Sequence, residues 1–413
     1  MSDPVRAQYE EFPYPPRDPR HEAKRLIVGS PSHLVEVNHF VFGGRLDLAR
    51  PFRALVAGGG TGDAAIMIAQ QLVDRGARAS EVVYIDLSTA SRAVAEARAA
   101  ARRLDNIRFI SASLLDLPRL DLGRFDYVDC CGVLHHLDDP LAGLMTLVQA
   151  LRPGGGMGLM LYGTLGRAGV YPAQDALRRL VHADETPTER VALARRFLAQ
   201  LPATNWIKRN PFIADHITEG DAGVHDLLLH ARDRAYRVEE VAALVDGAGL
   251  RWVSFVPPAR YDPFTYTSDA TLRRRIEALA PIARAALAEE IVGNMKTHAF
   301  YVVAADNAVT PPSPDDPAAV PVLHEATPEA LARGLRPGGV LKVSAEGFEM
   351  RFALPPLAPA IGGMIDGERS LAEIHRALAS RDATLDWRRF CEQFGLLYRG
   401  LHGVGKLFLA YRA

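Results

Sequence analysis

The chain has few features that would connect it to a membrane, to disulfide bonds or to a strongly charged partner. Only three of its 413 residues are cysteines, and Cys130 and Cys131 are adjacent. This is too few for a disulfide framework and indicates a reducing compartment. No apolar run approaches the roughly 18 residues of a transmembrane helix, and the first residues do not read as a signal peptide. We therefore expect a cytoplasmic protein without a membrane partner.

Charge of one sign is also lacking. The chain carries 48 Lys and Arg residues against 49 Asp and Glu residues, and its formal net charge is −1. Nucleic-acid binding depends on an excess of basic side chains over the phosphate backbone, so a nucleic-acid partner is not expected. The length allows two or three domains with cores of their own.

The most informative feature present is a glycine-rich turn between an apolar run and the beginning of a helix. Ala54–Ala57 leads directly into Gly58–Asp63, and the apolar residues that follow predict a buried helix. A strand, a tight turn and a helix in this order are typical of nucleotide-like ligand sites in open α/β sheets. Gly58, Gly60 and Gly62 allow the backbone to approach a ligand that a Cβ atom would obstruct.

Further apolar runs predict the other strands of the same sheet: Glu81–Asp86, Ile107–Ser113, Phe125–His136 (a strand with its exit loop) and Met157–Tyr162. Asp86 ends the second strand, where a carboxylate can accept hydrogen bonds from both hydroxyls of a ribose. Ser113 and Leu114 end the third strand, and a polar residue followed by an apolar one suits the edge and face of an adenine ring.

This order of motifs resembles the class I S-adenosyl-L-methionine (SAM)-dependent methyltransferases. The matching segments are the turn Val56–Gly62, the acid Asp86, the loop Phe125–Pro140 and the turn Leu151–Gly155, within about residues 45–165. The resemblance implies a Rossmann-like, seven-stranded α/β sheet with SAM as cofactor. The cofactor-binding residues that it implies are Gly58, Gly59, Gly60, Gly62, Asp86, Leu87, Ser113, Leu114 and Cys130.

One position departs from the family pattern. Two residues before Gly58 the family usually has an acid that helps to place the methionine amino group, and this chain has Val56. We therefore expect backbone carbonyls or water to hold that amino group here.

A nicotinamide-dependent dehydrogenase is the competing interpretation of a glycine turn followed by an acid. Its fingerprint requires a third glycine where this chain has Asp63. A carboxylate at the start of a helix repels the diphosphate of a dinucleotide, whereas SAM carries no phosphate. The methyltransferase interpretation is therefore favoured.

The chain divides into segments of different composition. We predict the following organisation: 1–50, an aromatic and proline-rich segment; 51–165, the SAM-binding core; 166–235, a helical insertion acting as a lid or in dimerisation; 236–304, strands six and seven with a second helical insertion at 269–292; 305–321, a proline-rich linker; and 322–413, a small winged-helix-like domain. A stabilising layer without a functional role is the alternative for the insertions.

The N-terminal segment Tyr9–Pro19 is rich in aromatic residues and prolines, which exclude a regular helix there. We predict an extended segment over the mouth of the active site, with a disordered tail as the alternative. Tyr9 and Tyr14 are then expected to line the acceptor channel, because the faces of aromatic rings attract an ammonium group.

The wider layout resembles a subset of bacterial methyltransferases that includes protein-lysine methyltransferases. The matching features are the N-terminal segment, Tyr162–Arg167, a middle region at Asp226–Tyr236 and the C-terminal winged helix. This resemblance implies a protein lysine as acceptor. Few basic residues fall on the candidate recognition helix, so we expect the C-terminal domain to bind a protein or to support a homodimer.

No Asn/Asp-Pro-Pro-Tyr/Phe signature follows strand four, so the usual amide-nitrogen and adenine-methylating motif is absent. We predict His135 and Tyr14 as catalytic residues, with His136 as the alternative to His135. Tyr9, His39 and His298 are predicted near the substrate, and no metal site is expected. Three hypotheses stand: a protein-lysine methyltransferase, a small-molecule O- or N-methyltransferase, and a SAM-binding scaffold without transferase activity.

Overall fold

A seven-stranded sheet forms the centre of the computed structural model, which describes residues 4–29, 31–345 and 347–412. Its strand order is β3-β2-β1-β4-β5-β7-β6. The strands are β1 (Arg53–Ala57), β2 (Glu81–Asp86), β3 (Ile107–Ser111), β4 (Phe125–Cys131), β5 (Leu151–Tyr162), β6 (Arg251–Val256) and β7 (Thr297–Val303). β7 runs antiparallel to both of its neighbours. The predicted Rossmann-like α/β sheet is confirmed.

Helices cover both faces of this sheet, as a mostly parallel sheet requires. The first five are α1 (Pro4–Glu11), α2 (Leu34–Val41), α3 (Asp63–Asp74), α4 (Thr89–Ala101) and α5 (Pro140–Ala150). Alternate strand residues point to opposite faces, so Leu55 packs in the core shared with α5. Val56 packs in the core shared with α2 and α3. Both faces of β1 are therefore buried, and only its carboxyl end is open to a ligand.

The insertion after β5 is helical, as predicted. It contains α6 (Val170–Leu180), α7 (Pro187–Gln200), α8 (Trp206–Arg209), α9 (Asp215–Thr218) and α10 (Gly220–Leu228). Their buried apolar side chains form a core of their own, which includes Val170, Leu177, Val191, Ile207 and Val224. The chain then completes the sheet, with α11 (Val238–Gly247) before β6 and with α12 (Ala270–Glu277) and α13 (Pro281–Val292) between β6 and β7.

The N-terminal segment differs from its prediction in one respect. Helix α1 continues to Glu11 and includes Tyr9, so the expectation that no helix begins this segment is wrong for its first three residues. The prolines that exclude a helix begin at Pro13, after α1 has ended. Proline restricts its own residue and the one before it, which leaves the preceding turn free to be helical.

The C-terminal part forms a separate module that packs against α2. Its elements are β8 (Val320–Leu323), α14 (Pro328–Gly334), β9 (Val340–Ala345), β10 (Phe348–Ala353), α15 (Ala358–Gly362), α16 (Leu371–Ala379), α17 (Trp387–Gly403) and β11 (Leu407–Ala410). β9 pairs with β10, and β8 pairs with β11, both antiparallel. Ser370 caps α16. The winged-helix assignment of this module remains a prediction.

The proline-rich segment before this module is fastened to the core rather than extended away from it. Asn307 donates a hydrogen bond from Nδ2 to the carbonyl oxygen of Gly154 at 2.7 Å and to that of Val41 at 3.1 Å. Within the described ranges, no helix is both long and apolar enough to cross a bilayer.

Candidate functional site

A cavity of about 600 Å³ opens at the carboxyl ends of β1, β2, β4 and β5. This volume lies within the range of about 300–1,000 Å³ that is usual for small-molecule and cofactor sites. Parallel strands end together at this edge, so the loops after them surround one space. Residues from α1 and from the inserted helix α10 close the remaining sides.

The glycine turn forms the floor of the cavity and fits tightly against its neighbours. Gly58 and Gly59 donate their N–H groups to the carbonyl oxygen of Ile85, at 2.8 and 3.1 Å. A Cβ atom on Gly58 would approach Val133 to 2.3 Å, and the φ of +76° at Gly58 favours glycine. The turn can therefore present its backbone to a ligand without a side chain in between.

Asp86 lies at the end of β2 beside this turn. Its Oδ2 accepts a hydrogen bond from the Gly60 N–H, and its Oδ1 accepts one from the Ser88 N–H, both at 2.8 Å. Burial raises the pKa of this carboxyl above its usual value. Each carboxylate oxygen keeps a second lone pair, so the fixed carboxylate can still accept bonds from two ribose hydroxyls.

The predicted adenine end is also on the cavity wall. Leu87, Ser113 and Leu114 line the cavity between β2 and the segment after β3. Ser113 Oγ accepts a hydrogen bond from the Leu115 N–H at 3.2 Å, which leaves its hydroxyl hydrogen free to donate. The arrangement provides one polar group and two apolar faces for a heterocyclic base.

Residues 4–19, which we call the N-terminal strap, lie across the cavity beside the cofactor motifs. Thr61 Oγ1 donates a hydrogen bond to the Pro15 carbonyl oxygen at 2.7 Å, and Ser88 Oγ donates one to the Tyr9 carbonyl oxygen at 2.9 Å. The Glu10 carboxylate accepts the N–H groups of Thr89 and Ala90 in the first turn of α4. A carboxylate is favourable there because those N–H groups have no partner within the helix.

An ion-pair network holds the next part of the strap. Arg17 makes a two-pronged contact with Asp63, with distances of 3.0 Å from Nε and 2.7 Å from Nη2. The buried Arg98 also donates to Asp63, at 2.6 Å, and to Glu22, at 2.7 Å. Burial acts to raise the pKa of Asp63, but the two arginines lower it on balance. Asp63, which excludes the dehydrogenase fingerprint, thus fastens the strap.

The opposite end of the cavity is formed by Asp226 of α10. Tyr9 donates its hydroxyl to Oδ1 at 3.0 Å, and Tyr162 donates its hydroxyl to Oδ2 at 3.3 Å. Burial raises the pKa of Asp226 to about 6. Tyr14 lines the same end, so a buried carboxylate is surrounded there by three aromatic rings.

A histidine extends this group. His230 Nδ1 accepts a hydrogen bond from the Arg232 N–H at 3.0 Å, and its Nε2 lies 3.2 Å from the Tyr9 hydroxyl. Burial lowers the pKa of His230 well below its usual value, so the ring is neutral. Since Nδ1 accepts, Nε2 carries the hydrogen and donates it to Tyr9, which in turn donates to Asp226.

Comparison with known proteins agrees with this geometry. A family described as a methyltransferase domain matches residues 55–157, from β1 into β5. The chain therefore contains a methyltransferase domain, and it is a SAM-dependent methyltransferase. Its cofactor is SAM, and the glycine turn, Asp86 and the Ser113–Leu114 pair lie on one wall of a cavity that fits it.

Two relatives extend the comparison. An uncharacterized protein of Synechococcus sp. is 31% identical over 307 residues, 73% of this chain and 72% of that protein. The tRNA 5-carboxymethoxyuridine methyltransferase of Escherichia coli K12 is 35% identical over 115 residues, 28% of this chain and 41% of that enzyme. The second similarity thus spans less than half of the tRNA enzyme.

Among solved structures, PKMT2 from Rickettsia typhi is similar in fold over most of the chain. Its TM-score is 0.63 at 14% sequence identity, and the alignment covers 91% of this chain and 73% of that chain. PKMT2 has also been solved in complex with AdoHcy. The likeness extends beyond the sheet, which shows that the two proteins share their overall fold.

Two cofactor residues of the methyltransferase are placed differently from the sequence prediction. Cys130 is fully buried in the core beneath the sheet, whereas Cys131 lines the cavity, because neighbouring strand residues face opposite sides. Gly62 does not line the cavity: it is the N-cap of α3, and a Cβ atom there would approach Ala95 to 2.8 Å. Its role is the packing of α3 against α4.

The two loop histidines also differ from the prediction for His135. His136 lines the cavity, while His135 lies behind it, with its ring centroid 3.9 Å from that of Tyr162. Neither ring nitrogen of His135 has a hydrogen-bond partner among the described residues. Burial lowers the pKa of His136 to about 4, so the histidine on the wall is neutral.

His39 and His298, predicted near the substrate, do not line the cavity. His39 Nδ1 lies 2.9 Å from the Leu409 carbonyl oxygen, where α2 meets the C-terminal module. His298 is fully buried between the Tyr261 hydroxyl, at 3.0 Å, and the Tyr236 carbonyl oxygen, at 3.1 Å. Both histidines connect elements of the fold.

Sequence reasoning missed several residues that the cavity brings together: Asp129, Cys131, Tyr162 and Asp226. A signal was present for two of them. Asp129 is an acid in the middle of the apolar run of β4, and Asp226 precedes three consecutive leucines. Charged residues in such settings are almost never buried without a partner or a function.

Proposed function

We propose that this methyltransferase transfers the methyl group of SAM to the side-chain amine of a lysine in a protein. The observation that carries the proposal is the buried Asp226, which shares the cavity with the cofactor motifs and is surrounded by Tyr9, Tyr14 and Tyr162. A carboxylate with aromatic faces around it attracts an ammonium group. The resemblance to bacterial protein-lysine methyltransferases supports the same acceptor.

The residues at this end fit the requirements of an amine acceptor. SAM supplies an electrophilic methyl group, and the acceptor nitrogen must approach within about 3–3.5 Å, in line with the breaking bond. A lysine must first lose its proton, and a largely dry pocket lowers its pKa. Asp226, whose pKa is about 6, is ionised at neutral pH and can accept that proton. Tyr9 and Tyr162 fix the position of the carboxylate.

Labelled methyl transfer to a lysate tests the proposal. The purified protein is incubated with SAM that carries a radioactive methyl group and a whole-cell lysate, which is then separated into protein, RNA and organic extract. We expect label in protein, recovered as methyllysine after acid hydrolysis. Prior blocking of lysines by acetylation, which converts each amine into an amide, removes this label, and Asp226→Asn reduces it strongly. Asp221→Asn, an exposed acid on the same helix, serves as the matched control.

Other distributions of label would contradict the proposal. Label confined to the organic extract would indicate a small-molecule O- or N-methyltransferase, and label in RNA would indicate a nucleic-acid acceptor. No label in any fraction, despite measured SAM binding, would indicate a scaffold without transferase activity. Label in protein that survives the blocking of lysines would exclude lysine as the acceptor residue but would leave a protein as the acceptor.

We also propose that the protein works in the cytoplasm as a homodimer through its inserted helices. Trp206 is 64% exposed and Ile217 is 73% exposed, and both lie on short helices of the insertion. Exposed large apolar side chains of this kind are candidates for a contact surface between two copies of the chain.

A further inference from the structure

The acid that is missing from β1 has a counterpart on the neighbouring strand. Val56 occupies the position at which related methyltransferases carry an acid, and in the sheet Val56 pairs directly with Asp129 of β4. Paired residues of adjacent strands have side chains on the same face, about 5 Å apart. Val56 and Asp129 both line the cavity. A carboxylate is therefore present at the level of the missing one, displaced by one strand.

The Asp129 carboxylate is held in place by two hydrogen bonds. The Ser32 hydroxyl donates a hydrogen bond to Oδ2, and the Cys131 thiol donates to the same oxygen at 3.3 Å. Ser32 is itself fixed by the Tyr127 hydroxyl, 2.8 Å from its Oγ. Both of these hydrogen bonds to the carboxylate go to Oδ2, so neither of them occupies Oδ1 of Asp129.

The backbone at Ser32 adopts a conformation that carries a local energetic cost. Ser32 has a φ of +101°, in a region that residues other than glycine seldom occupy. Its N–H donates to the Tyr301 hydroxyl at 2.8 Å, which keeps the strained conformation in place. Strain of this kind persists where the surroundings fix it, and it is concentrated at functional sites.

The Asp129 carboxylate lacks a cation. Asp129 is only 2% exposed, and no Lys, Arg or His nitrogen of the described residues forms an ion pair with its carboxylate. A buried carboxylate without a cation is costly, and such groups are usually paired or bind a ligand. Asp129 lines the cavity, so a cation of the bound cofactor can reach the carboxylate from that side.

We propose that Asp129 binds the α-ammonium group of the methionine part of SAM, in place of the acid that related enzymes carry at the position of Val56. Asp86 at the ribose and Asp129 at the ammonium group then hold the two polar ends of the cofactor from neighbouring parts of the same sheet edge. The expectation that backbone carbonyls or water alone hold the ammonium group is replaced by this assignment. The proposal concerns the cofactor and does not depend on the acceptor.

Two ligands that differ in the amino-acid part test the assignment. S-adenosylhomocysteine carries the ammonium group, and 5′-methylthioadenosine has the same nucleoside without it. In calorimetric titrations we expect Asp129→Asn to weaken S-adenosylhomocysteine binding by about 10- to 100-fold, since a hydrogen bond to a charged group is lost. The affinity for 5′-methylthioadenosine should change by less than about threefold, which also shows that the variant retains a folded cavity.

Moving the acid provides a second readout. In the double variant Val56→Asp with Asp129→Val, the carboxylate returns to the position that related enzymes use. We expect this variant to recover most of the S-adenosylhomocysteine affinity that Asp129→Asn loses. A structural role of Asp129 beside Ser32 would predict no recovery.

The control variant is Asp226→Asn, another acid of the cavity that forms no ion pair with the described residues. It should leave the affinity ratio of the two ligands unchanged, whatever it does to methyl transfer. The assignment would be overturned if Asp129→Asn weakened the binding of both ligands equally or of neither. It would also be overturned if Asp226→Asn, and not Asp129→Asn, selectively weakened the binding of S-adenosylhomocysteine. None of these outcomes bears on whether a lysine is the acceptor, so the two proposals can fail separately.

Discussion

At the scale of single residues, the cavity contains three buried carboxylates that have different hydrogen-bond partners. Asp86 receives two backbone N–H groups, Asp129 receives a hydroxyl and a thiol, and Asp226 receives two tyrosine hydroxyls. Burial raises the pKa of all three. The partners leave different carboxylate lone pairs free to accept further hydrogen bonds, and these free lone pairs determine what each acid can bind.

Replacement of Asp86 tests the ribose contact. Asp86→Asn keeps the size of the side chain but places an amide NH₂ against the N–H of Gly60 or Ser88. We expect the affinity for S-adenosylhomocysteine and for 5′-methylthioadenosine to fall together by about 10- to 100-fold, because both ligands contain the ribose. Calorimetric titration measures this. Unchanged affinity for both ligands would remove Asp86 from the cofactor site.

The pH dependence of turnover tests Asp226. A base must be ionised, so turnover at saturating SAM should fall as the pH drops below about 6, the pKa to which burial raises this carboxyl. Asp226→Asn should lower turnover by about 10²- to 10⁴-fold and should remove this part of the pH profile. Initial rates over a range of pH provide the measurement. A variant that keeps both the rate and the profile would exclude Asp226 as the base.

At this scale the sequence predicts the residues whose signal is local. Each predicted cofactor residue of this kind lies at the end of an apolar run that can be recognised in the sequence. The structure places Gly58, Gly59, Gly60, Asp86, Ser113 and Leu114 on the cavity wall, but not Gly62. Asp226 was not predicted as a site residue because its surroundings come from Tyr9, 217 residues away. Cys130 and Cys131 were exchanged because a shift of one residue in a strand reverses the face.

At the scale of elements, the strap connects the N-terminus to the cofactor motifs. It supplies Tyr9 and Tyr14 to the cavity and is fastened through Glu10 to α4 and through Arg17 to the start of α3. A ligand beneath it is therefore enclosed by contacts that must open before release. The segment Tyr9–Pro19 was predicted to be extended over the mouth of the active site, but its first three residues belong to α1.

Loosening the strap should accelerate release of the cofactor product. Arg17→Ala removes the two-pronged contact with Asp63, a half-buried pair worth about 1 kcal/mol. We expect S-adenosylhomocysteine to dissociate about 3- to 10-fold faster, as measured by stopped-flow displacement. Arg20→Ala, whose exposed side chain pairs only with Asp18 of the strap, is the matched control. Equal rates in the two variants would contradict the role of the strap.

The helices that the sequence predicts least well are the shortest. α8 and α9 contain four residues each, which is too few for a periodic pattern to develop. The longer α7 and α16 follow Thr186 and Ser370, each of which forms a capping box that can be recognised in the sequence. Local signals of this kind are readable without knowledge of the tertiary contacts.

At the scale of the whole molecule, buried neutral histidines make stability sensitive to acid. Burial lowers the pKa of His39 to about 3 and that of His136, His225, His324 and His402 to about 4. Each of these histidines is neutral in the folded protein but protonates near pH 6.5 in the unfolded chain. Below about pH 6.5 the unfolded state therefore binds more protons than the folded state, and the free energy of unfolding decreases as the pH falls. Asp86, Asp129 and Asp226, whose pKa burial raises, act in the opposite direction, but they are fewer than the histidines.

We therefore expect the free energy of unfolding to decrease as the pH falls from about 6.5 toward about 4. Urea unfolding at several pH values in this window measures the decrease. His39→Gln should make the decrease shallower, since one buried histidine is removed, while the cofactor affinity is unchanged because His39 does not line the cavity. Stability that is constant or increases over this window would contradict the assignment of neutral buried histidines.

The inserted helices provide a test of assembly. Light scattering should give a mass of about twice 45.0 kDa for the native chain. The double variant Trp206→Glu with Ile217→Glu places charges on the two most exposed apolar side chains of the insertion and should give the monomer mass, with methyl transfer retained. A native protein that is monomeric at all concentrations would exclude the homodimer.

The fold as a whole was predictable because the strand and turn signals recur in a fixed order along the chain. The cross-sheet relation between Val56 and Asp129 was not, since it depends on the register of β1 against β4. The docking of the C-terminal module on α2 through His39 and Leu409 was also hidden, because the two residues are 370 positions apart. Contacts of this range are fixed only by the assembled core.

A crystal structure of the protein with S-adenosylhomocysteine tests the central claim most directly. The account predicts the ligand in the cavity at the carboxyl edge of the sheet, with the ribose hydroxyls on the Asp86 carboxylate, the glycine turn beneath the amino-acid part, and the ammonium group on Asp129. The sulfur should face the end that contains Asp226. A ligand found elsewhere, or bound in the cavity with its ribose away from Asp86, would contradict the account.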